Sequence, residues 1–374
     1  MGETPIDELL RGTFSGSTKE DWKHAAGQEI EGQNPFDKLA WKNADKLTFA
    51  PLYDASDVAT LNFLKNFQRS PSQKEYSTAG QWSNLCPILV TNSVTANTQA
   101  LNHLQQGADG ILFDVRHDEK INFEKLLQSI DWPYCTIAFL LDSQQALDQL
   151  GDYIMRQSYA PNTLQGVIFS DFSSNNKRVI PEGISQQQNF FSHGIGIDAS
   201  TPSSEIAQAL VKGVECIEQN SISPAEQIRK IAFSLPAENN FLFTLAKTKV
   251  LRMLWFQLVQ AYGVTTFQPS DLYIHTRCET WIKESYEPHG NLIASTLSSL
   301  AAILGGCDAI SIFTTNENPT LTNRIARNVS SILREESHID KVADPTAGAY
   351  TIDTIIDTLA QDAWKKFQVE VQKI

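Results

Sequence analysis

Short apolar runs recur along the chain from residue 88 onward, each bounded by polar or turn-forming residues. Runs of this length and setting are typical of strands that are buried on both faces. Gly194 and Gly196 weaken the strand character of the fifth run. The predicted strands lie at 88–91, 110–114, 135–141, 166–170, 191–197, 231–235, 272–275 and 309–313.

Segments with helical periodicity separate these runs, at 98–106, 122–130, 144–155, 204–216, 240–262 and 292–304, and another begins near Arg324. The connection at 172–188 is polar and holds only a weak helix candidate. Parallel neighbours in a sheet need such crossovers, and a closed (β/α)8 barrel needs eight strand–helix units. We therefore predict an α/β fold, a (β/α)8 TIM barrel at 54–374 with a terminal helix at 352–369, preceded by an N-terminal arm at 1–53.

The arm carries three large aromatic residues, Trp22, Phe36 and Trp41, in a segment too short to build its own core. Buried aromatic side chains contribute strongly to packing and to interfaces. The arm is therefore predicted to dock, either on its own barrel or on a partner chain.

Composition and net charge limit the classes of ligand that the chain is expected to bind. The formal net charge is −13 and the sequence pI is about 5.0, which argues against nucleic acid and anionic membrane surfaces as ligands. No apolar run is long enough to span a bilayer, and the N-terminal residues lack the apolar core of a secretion signal. The five cysteines show no CxxC spacing, which is typical of reduced thiols in a cytoplasmic protein. Whether the natural chain ends at Ile374 is left open.

Acidic residues stand at the ends of several predicted strands. Asp114, Asp142 and Asp171 follow the second, third and fourth strands, at the end of a barrel where catalytic groups gather. A ring of carboxylates there could hold Mg²⁺. The alternative is that each aspartate caps the helix after it. We favour capping, which predicts that these residues hold no metal.

Two histidines, His193 and His275, lie on predicted strands. Either one could act as a general acid, but a lone histidine on a strand is also a common hydrogen-bonded core residue. The chain lacks the HExxH, Walker A and GxSxG motifs. Without further information, these residues predict only an acidic α/β barrel.

One long stretch, 324–350, carries more specific information. It reads R-I-A-R-N at 324–328, E-E-S at 335–337 and D-P-T-A-G-A-Y at 344–350, with Ile325, Val329 and Ile332 predicted to form its apolar face. Three further elements accompany it: K-T-K-V-L-R-M-L-W at 247–255, L-G-G at 304–306 and Trp364 in the terminal helix. Together these motifs resemble the methylmalonyl-CoA mutase family. On the helix at 247–255, helical spacing predicts that Leu251, Leu254, Trp255 and Leu258 face inward and that Lys247, Lys249 and Arg252 face outward.

The resemblance implies a barrel that encloses an acyl-CoA and a separate domain that binds adenosylcobalamin. This chain departs from the catalytic pattern of that family at three positions. The W-T-I-R-Q-Y motif becomes W-S-N-L-C-P, which puts Leu85 and Pro87 in place of the arginine and tyrosine that contact substrate. The histidine beside the thioester falls on Gly194, one place from His193, and the H-S-Q-T-S-G strand keeps only His275.

The resemblance therefore implies a small, non-catalytic subunit without a cofactor of its own. It would support a catalytic large subunit that converts (R)-methylmalonyl-CoA to succinyl-CoA, and it would self-associate when isolated. Two alternatives stay open, a free-standing metal-dependent barrel enzyme that uses the aspartate rim and an active mutase barrel that works with a separate cobalamin protein. We expect branched side chains to fill the barrel axis and to leave no acyl-CoA channel. The candidates are Ile88, Val90, Leu112, Leu140, Val167, Ile168, Ile310 and Ile312.

Overall fold

The computed structural model describes residues 17–61, 80–116, 121–170, 179–218, 222–237, 240–278, 290–314 and 319–373. Its arm contains the helices α1 (Lys19–Glu29), α2 (Pro35–Lys38) and α3 (Ala55–Val58). The strands β1 (Trp41–Lys42) and β2 (Thr48–Phe49) form an antiparallel hairpin between α2 and α3. Helix α1 begins after Thr18 because the Thr18 hydroxyl accepts a hydrogen bond from the Asp21 backbone N–H while the Asp21 carboxylate accepts one from the Thr18 N–H.

The predicted (β/α)8 barrel is confirmed. Within the described residues, eight parallel strands close into a ring in chain order, and the last strand pairs with the first through Ala309 and Ser83. The first strand begins five residues before its predicted start. Its early residues, Ser83 and Asn84, are polar, so apolar patterning could not reveal them. The strands are β3 (Ser83–Leu89), β4 (Gly110–Asp114), β5 (Thr136–Leu140), β6 (Gln165–Ser170), β7 (Phe190–Gly196), β8 (Ile231–Pro236), β9 (Tyr273–Cys278) and β10 (Ala309–Ile312).

Helices outside the ring connect the strands. The helix predicted at 122–130 is only the one-turn α5, because the chain turns at Ser129, where φ is +60°. The first part of the connection at 172–188, residues 172–178, lies outside the described residues, and its described part contains the short α7. The helices are α4 (Ser93–Gln105), α5 (Phe123–Leu126), α6 (Gln144–Gln157), α7 (Glu182–Ser185), α8 (Pro202–Glu218), α9 (Pro224–Ile228), α10 (Phe241–Ala261), α11 (Gly290–Leu304), α12 (Pro319–Ser331) and α13 (Tyr350–Val371).

The barrel axis is filled by its own cluster of side chains, separate from the outer layer between strands and helices. Successive side chains on a strand point to opposite faces, so only half of each apolar run can face the axis. Of the eight branched residues expected there, Leu112, Val167 and Leu140 belong to the axial cluster, whereas the others pack outside the ring. The axial cluster consists of Leu85, Leu112, Ala138, Val167, Phe169, Ala232 and Ala309, with Leu140, Phe191, Tyr273 and Phe313 packed against it.

The hairpin of the arm packs on its own barrel domain. The rings of Trp41 and Phe49 lie 4.9 Å apart, and both contact Phe243 of α10. Asp45, in the loop of the hairpin, accepts hydrogen bonds from Lys366 of α13 and Ser203 of α8. The earlier aromatics, Trp22 and Phe36, pack edge to face on each other, 5.4 Å apart. Docking on a partner therefore stays a prediction only for the part of the arm before the hairpin.

None of the described helices is both long enough and apolar enough to cross a bilayer.

Candidate functional site

The stretch at 324–350 forms helix α12, a π-helical turn at Ile332–Glu336 and a loop. The prediction that Ile332 faces inward was wrong, because its side chain is 53% exposed while Leu333 is buried. A π-turn adds one residue to the helical repeat, so the buried face moves on by one position. Val329 is buried as predicted.

Helix α12 and the π-turn hold the start of β3. The Ser330 hydroxyl accepts a hydrogen bond from Trp82 Nε1 at 2.8 Å, and the Arg327 carbonyl accepts one from Asn84 Nδ2 at 3.0 Å. Arg334 donates to the Trp82 carbonyl, lies 5.0 Å from the centre of the Trp82 ring and pairs with Asp109. The family motif thus positions the strand that carries Leu85 and Pro87.

The helix at 247–255 is buried on more sides than predicted. Lys247 is 0% exposed and Arg252 is 1% exposed, so the prediction that they face outward was wrong. Lys247 Nζ lies 2.5 Å from Glu205 Oε2 of α8. Arg252 pairs with Asp308 and donates to the carbonyls of Pro269, Leu272 and Gly306. Pairing and hydrogen bonding of this kind offset the energetic cost of burying a charged side chain.

Two of the family motifs meet in space. Lys249 of α10 pairs with Asp344 at 2.6 Å and donates to the Thr346 hydroxyl at 2.7 Å. These contacts fasten the D-P-T-A-G loop to the outer layer of the barrel. The inward positions Leu251, Leu254, Trp255 and Leu258 are buried as predicted.

His275 lies buried on β9 within the barrel. Its Nδ1 is 2.8 Å from Ser234 Oγ, and its Nε2 is 2.9 Å from Ser311 Oγ. Ser311 donates its hydroxyl proton to the Leu85 carbonyl, so its oxygen accepts a proton from Nε2, and Nδ1 accepts one from Ser234. Burial lowers the pKa of His275 to about 3, with a smaller contribution from Arg277. His275 is therefore a neutral, fully hydrogen-bonded core residue and cannot serve as a general acid near pH 7.

The three positions at which the family resemblance predicts replaced catalytic side chains lie in or beside the packed axis. Leu85 is buried in the axial cluster, and Pro87 is partly buried beside α12. A side chain at Gly194 would place its Cβ 2.6 Å from both the Ile168 carbonyl oxygen and the Phe169 ring. The neighbouring His193 is buried on β7, with Nδ1 2.9 Å from Ser192 Oγ, and does not line the cavity at the barrel mouth.

Adding a methyl group at Gly194 should test this packing. We expect Gly194→Ala to lower the free energy of unfolding by about 1–3 kcal/mol, the usual cost of overpacking a core. Gly27→Ala is the control, because its added Cβ makes no contact shorter than 3.5 Å. Gly263→Ala is not suitable, because the positive φ of Gly263 would strain an alanine. Urea unfolding of both variants measures the difference. Equal stabilities would show that position 194 can accept a side chain.

The carboxyl ends of the strands open onto a cavity of about 230 Å³. Both carboxylate oxygens of Asp114 accept hydrogen bonds from Arg116, at 2.9 and 2.7 Å. Capping was the wrong explanation for Asp114 and Asp142, because the helices after them are capped by Asn122 and Ser143. Asp171 lies outside the described residues. The cavity is lined by Arg116, Leu140, Asp142, Phe169, Ser170, Gly196, Ile197, Asp198, Ser234, Arg277 and Phe313.

Sequence reasoning missed Arg277 at this mouth. Arg277 donates from Nη1 to the Ser234 carbonyl and hydroxyl and from Nη2 to the Ile197 carbonyl. It stands two residues after His275, so the strand period of two would have placed both on one face. Among the described residues, no group of three His, Cys, Asp or Glu side chains is arranged to hold a metal. At the mouth, Arg116 pairs with Asp114, and Arg277 donates to the backbone carbonyls of Ser234 and Ile197.

Comparison with known proteins places the chain in a family. Residues 148–373 match the family model for methylmalonyl-CoA mutase. The chain is 25% identical over 397 aligned positions to a methylmalonyl-CoA mutase small subunit from Porphyromonas gingivalis, which covers 96% of this chain and 64% of that protein. It is 24% identical to the mitochondrial methylmalonyl-CoA mutase of Homo sapiens, with 92% of this chain and 54% of that enzyme covered.

Among solved structures, a dihydropteroate synthase from Thermus thermophilus is similar over 68% of this chain and 94% of that chain, with a TM-score of 0.38 and 11% identity. The chain spans less than two thirds of the length of the two curated relatives named above. The family match covers more than half of the chain and includes its motif-bearing helices. This chain belongs to the methylmalonyl-CoA mutase family.

Proposed function

We propose that this chain is the small, non-catalytic subunit of a methylmalonyl-CoA mutase and that it supports a catalytic large subunit. The complex would convert (R)-methylmalonyl-CoA to succinyl-CoA with adenosylcobalamin bound elsewhere than in this barrel. The main support for the proposal is that side chains fill the barrel axis. The family resemblance implies that a catalytic barrel would hold an acyl-CoA there.

Several side chains close the path that a pantetheine arm would need. The Phe169 ring lies 5.0 Å from the His275 ring, and Leu85 and Leu112 are fully buried beside them. A radical mutase needs an open, preorganised pocket around its substrate. A substrate placed along the axis would therefore have to displace several of these core side chains.

Neither strand histidine is placed to hold adenosylcobalamin. A cobalt ligand would need an accessible imidazole nitrogen, yet both ring nitrogens of His275 are hydrogen-bonded inside the barrel, and His193 is buried on β7. Association with a large subunit is supported by the likeness to the Porphyromonas gingivalis small subunit over 96% of the chain. A cytoplasmic location is part of the proposal, since all five cysteines are free thiols.

Reconstitution tests the proposal directly. The purified chain, a catalytic large subunit and their mixture are each supplied with (R)-methylmalonyl-CoA and adenosylcobalamin, and succinyl-CoA is measured. We expect no product from this chain alone, co-elution of the two subunits on gel filtration, and turnover in the mixture.

Succinyl-CoA formed by this chain alone would contradict the proposal. So would a chain that stays monomeric and does not bind the large subunit. Without the large subunit, we expect the chain to self-associate through the same surface that is proposed to bind the large subunit. Addition of a separate cobalamin-binding protein in place of the large subunit tests the alternative of an active barrel, and product in that mixture would support the alternative.

A further inference from the structure

Helix α11 has an outward side without charge. Its 15 residues, Gly290–Leu304, include no acidic or basic side chain. Ile293 is 63% exposed and Leu297 is 50% exposed, one turn apart on the side away from the barrel. Surface helices usually carry charged and polar residues on this side. Helix α6 of the same barrel follows that rule, with Asp148 and Asp152 exposed.

The apolar side continues onto the neighbouring helix α12. The two helices pack side by side, and Leu300 of α11 packs against the cluster that contains Val329 of α12. Helical spacing puts Leu321 and Ile325 in one outward row, which the π-turn extends to the exposed Ile332. We call the outward apolar residues of both helices the apolar face: Ile293, Leu297, Leu300, Leu321, Ile325 and Ile332.

The apolar face is large enough to form the centre of an interface. A helix of 15 residues is about 22 Å long, and two packed helices present a surface roughly 20 Å wide. The face therefore covers about 400 Å², and apolar patches of this size on a monomer are often functional. A standard interface buries about 800 Å² on each partner, with an apolar centre and a polar rim. The apolar face thus matches the centre of such an interface.

The charges on and around the apolar face favour a second copy of this chain as its partner. The formal net charge of −13 opposes association of two copies, but neither α11 nor α12 contains an acidic residue. Exposed charges lie toward the two ends of the outward row, Arg324 near the start of α12 and Glu335 and Glu336 in the π-turn. When two copies pair through a two-fold axis with antiparallel helices, the arginine end of one copy approaches the glutamate end of the other. The face is therefore complementary to itself in charge as well as in apolar character.

We propose that the apolar face of α11 and α12 is the interface of an isologous homodimer, in which a second copy of this chain covers it. The rival occupants are the segments before the two helices, 279–289 and 315–318, which lie outside the described residues, and the catalytic large subunit. The homodimer is independent of the proposed function, because it requires only the contacts and charges of this chain.

Sedimentation equilibrium of the purified chain provides the first test. We expect wild type to form a dimer at micromolar concentration, with twice the 41.7 kDa mass of one chain. Leu297→Lys should weaken the dimer at least about 100-fold, because an unpaired ammonium group would be buried in the interface. Met155→Lys is the matched control, since Met155 is similarly exposed on α6, and it should leave the dissociation constant unchanged.

A wild-type chain that stays monomeric would overturn the proposal, and so would a dimer that Leu297→Lys leaves intact. Two forms of the monomeric result identify the rival occupant. If a segment of the same chain covers the face, Leu297→Lys should lower the melting temperature more than Met155→Lys does. If the large subunit covers it, Leu297→Lys should prevent co-elution with the large subunit and Met155→Lys should not.

Hydrogen exchange of the wild-type chain keeps the proposal testable even if a variant does not fold. Peptides that cover 290–304 and 321–332 should exchange more slowly at a protein concentration above the dissociation constant than below it, because the dimer shields these helices and limits their local opening. Peptides from α6, at 144–157, should change less. Exchange at 290–304 that does not depend on concentration would contradict the proposed interface.

Discussion

Glu205→Leu should lower the free energy of unfolding by about 3–5 kcal/mol, the usual cost of leaving one partner of a buried ion pair alone. The carboxylate of Glu205 lies 2.5 Å from Lys247 Nζ between α8 and α10, and both side chains are almost fully excluded from water. Loss of the carboxylate leaves an ammonium group in a low-dielectric environment. Urea unfolding of the variant and of wild type measures the change.

The double variant Glu205→Leu/Lys247→Met provides the matched comparison. Two apolar side chains remove both charges, so most of the lost stability should return. An exposed pair gives the second control, because Arg156 and Glu124 lie 2.7 Å apart with side chains 60% and 59% exposed. Glu124→Gln should cost less than about 1 kcal/mol. If the single and double variants at 205 and 247 were equally unstable, packing rather than charge would explain the loss.

Acidification should destabilise wild type more than His275→Gln. The pKa of His275 falls from 6.5 to about 3 on folding, so between these values the unfolded chain binds a proton at this position and the folded chain does not. The stability contributed by neutral His275 is therefore fully present above pH 6.5 and is lost as pH falls toward 3. Each pH unit in this window costs about 1.4 kcal/mol.

The measurement is the free energy of unfolding in urea at pH 7 and pH 5. Between these pH values, wild type should lose about 2 kcal/mol more than His275→Gln. Glutamine keeps polar contacts available to Ser234 and Ser311 but does not titrate. His24→Gln removes an exposed histidine from α1 and should leave the pH dependence of wild type unchanged. A pH response of His275→Gln equal to that of wild type would show that another group controls it.

Apolar patterning predicted most strands well: six of the eight begin and end within one residue of the predicted runs, and a seventh begins within one residue but extends three residues further, to Cys278. It failed at β3, where Ser83, Asn84 and Pro87 interrupt the pattern, and this strand carries two of the positions at which the family resemblance predicts replaced catalytic side chains. Asn84 is buried because its amide donates to the Arg327 carbonyl, a partner 243 positions away in the sequence. A local sequence pattern cannot predict the burial of a polar residue whose hydrogen-bond partner lies so far away in the sequence.

The residues that fill the axis could not be predicted either. On a strand buried on both faces, apolar identity does not distinguish the axial face from the outer face. A shift of register between β6 and β7, at Val167 and Phe169, further changes which residues face inward at Gly194. The space for a side chain at Gly194 is occupied by the Ile168 carbonyl oxygen and the Phe169 ring. No property of the glycine itself predicts this.

The sequence by itself determined the barrel class and the family, since these depend on local apolar runs and on residue identity; the three replaced positions stay a prediction of the family resemblance. Only the tertiary structure decided that Lys247 and Arg252 are buried and that His275 is neutral. Each of these properties depends on desolvation and on partners from distant parts of the chain, such as Glu205 for Lys247. Charge burial is a property of the assembled barrel, and helical periodicity alone assigns a charged residue to the surface.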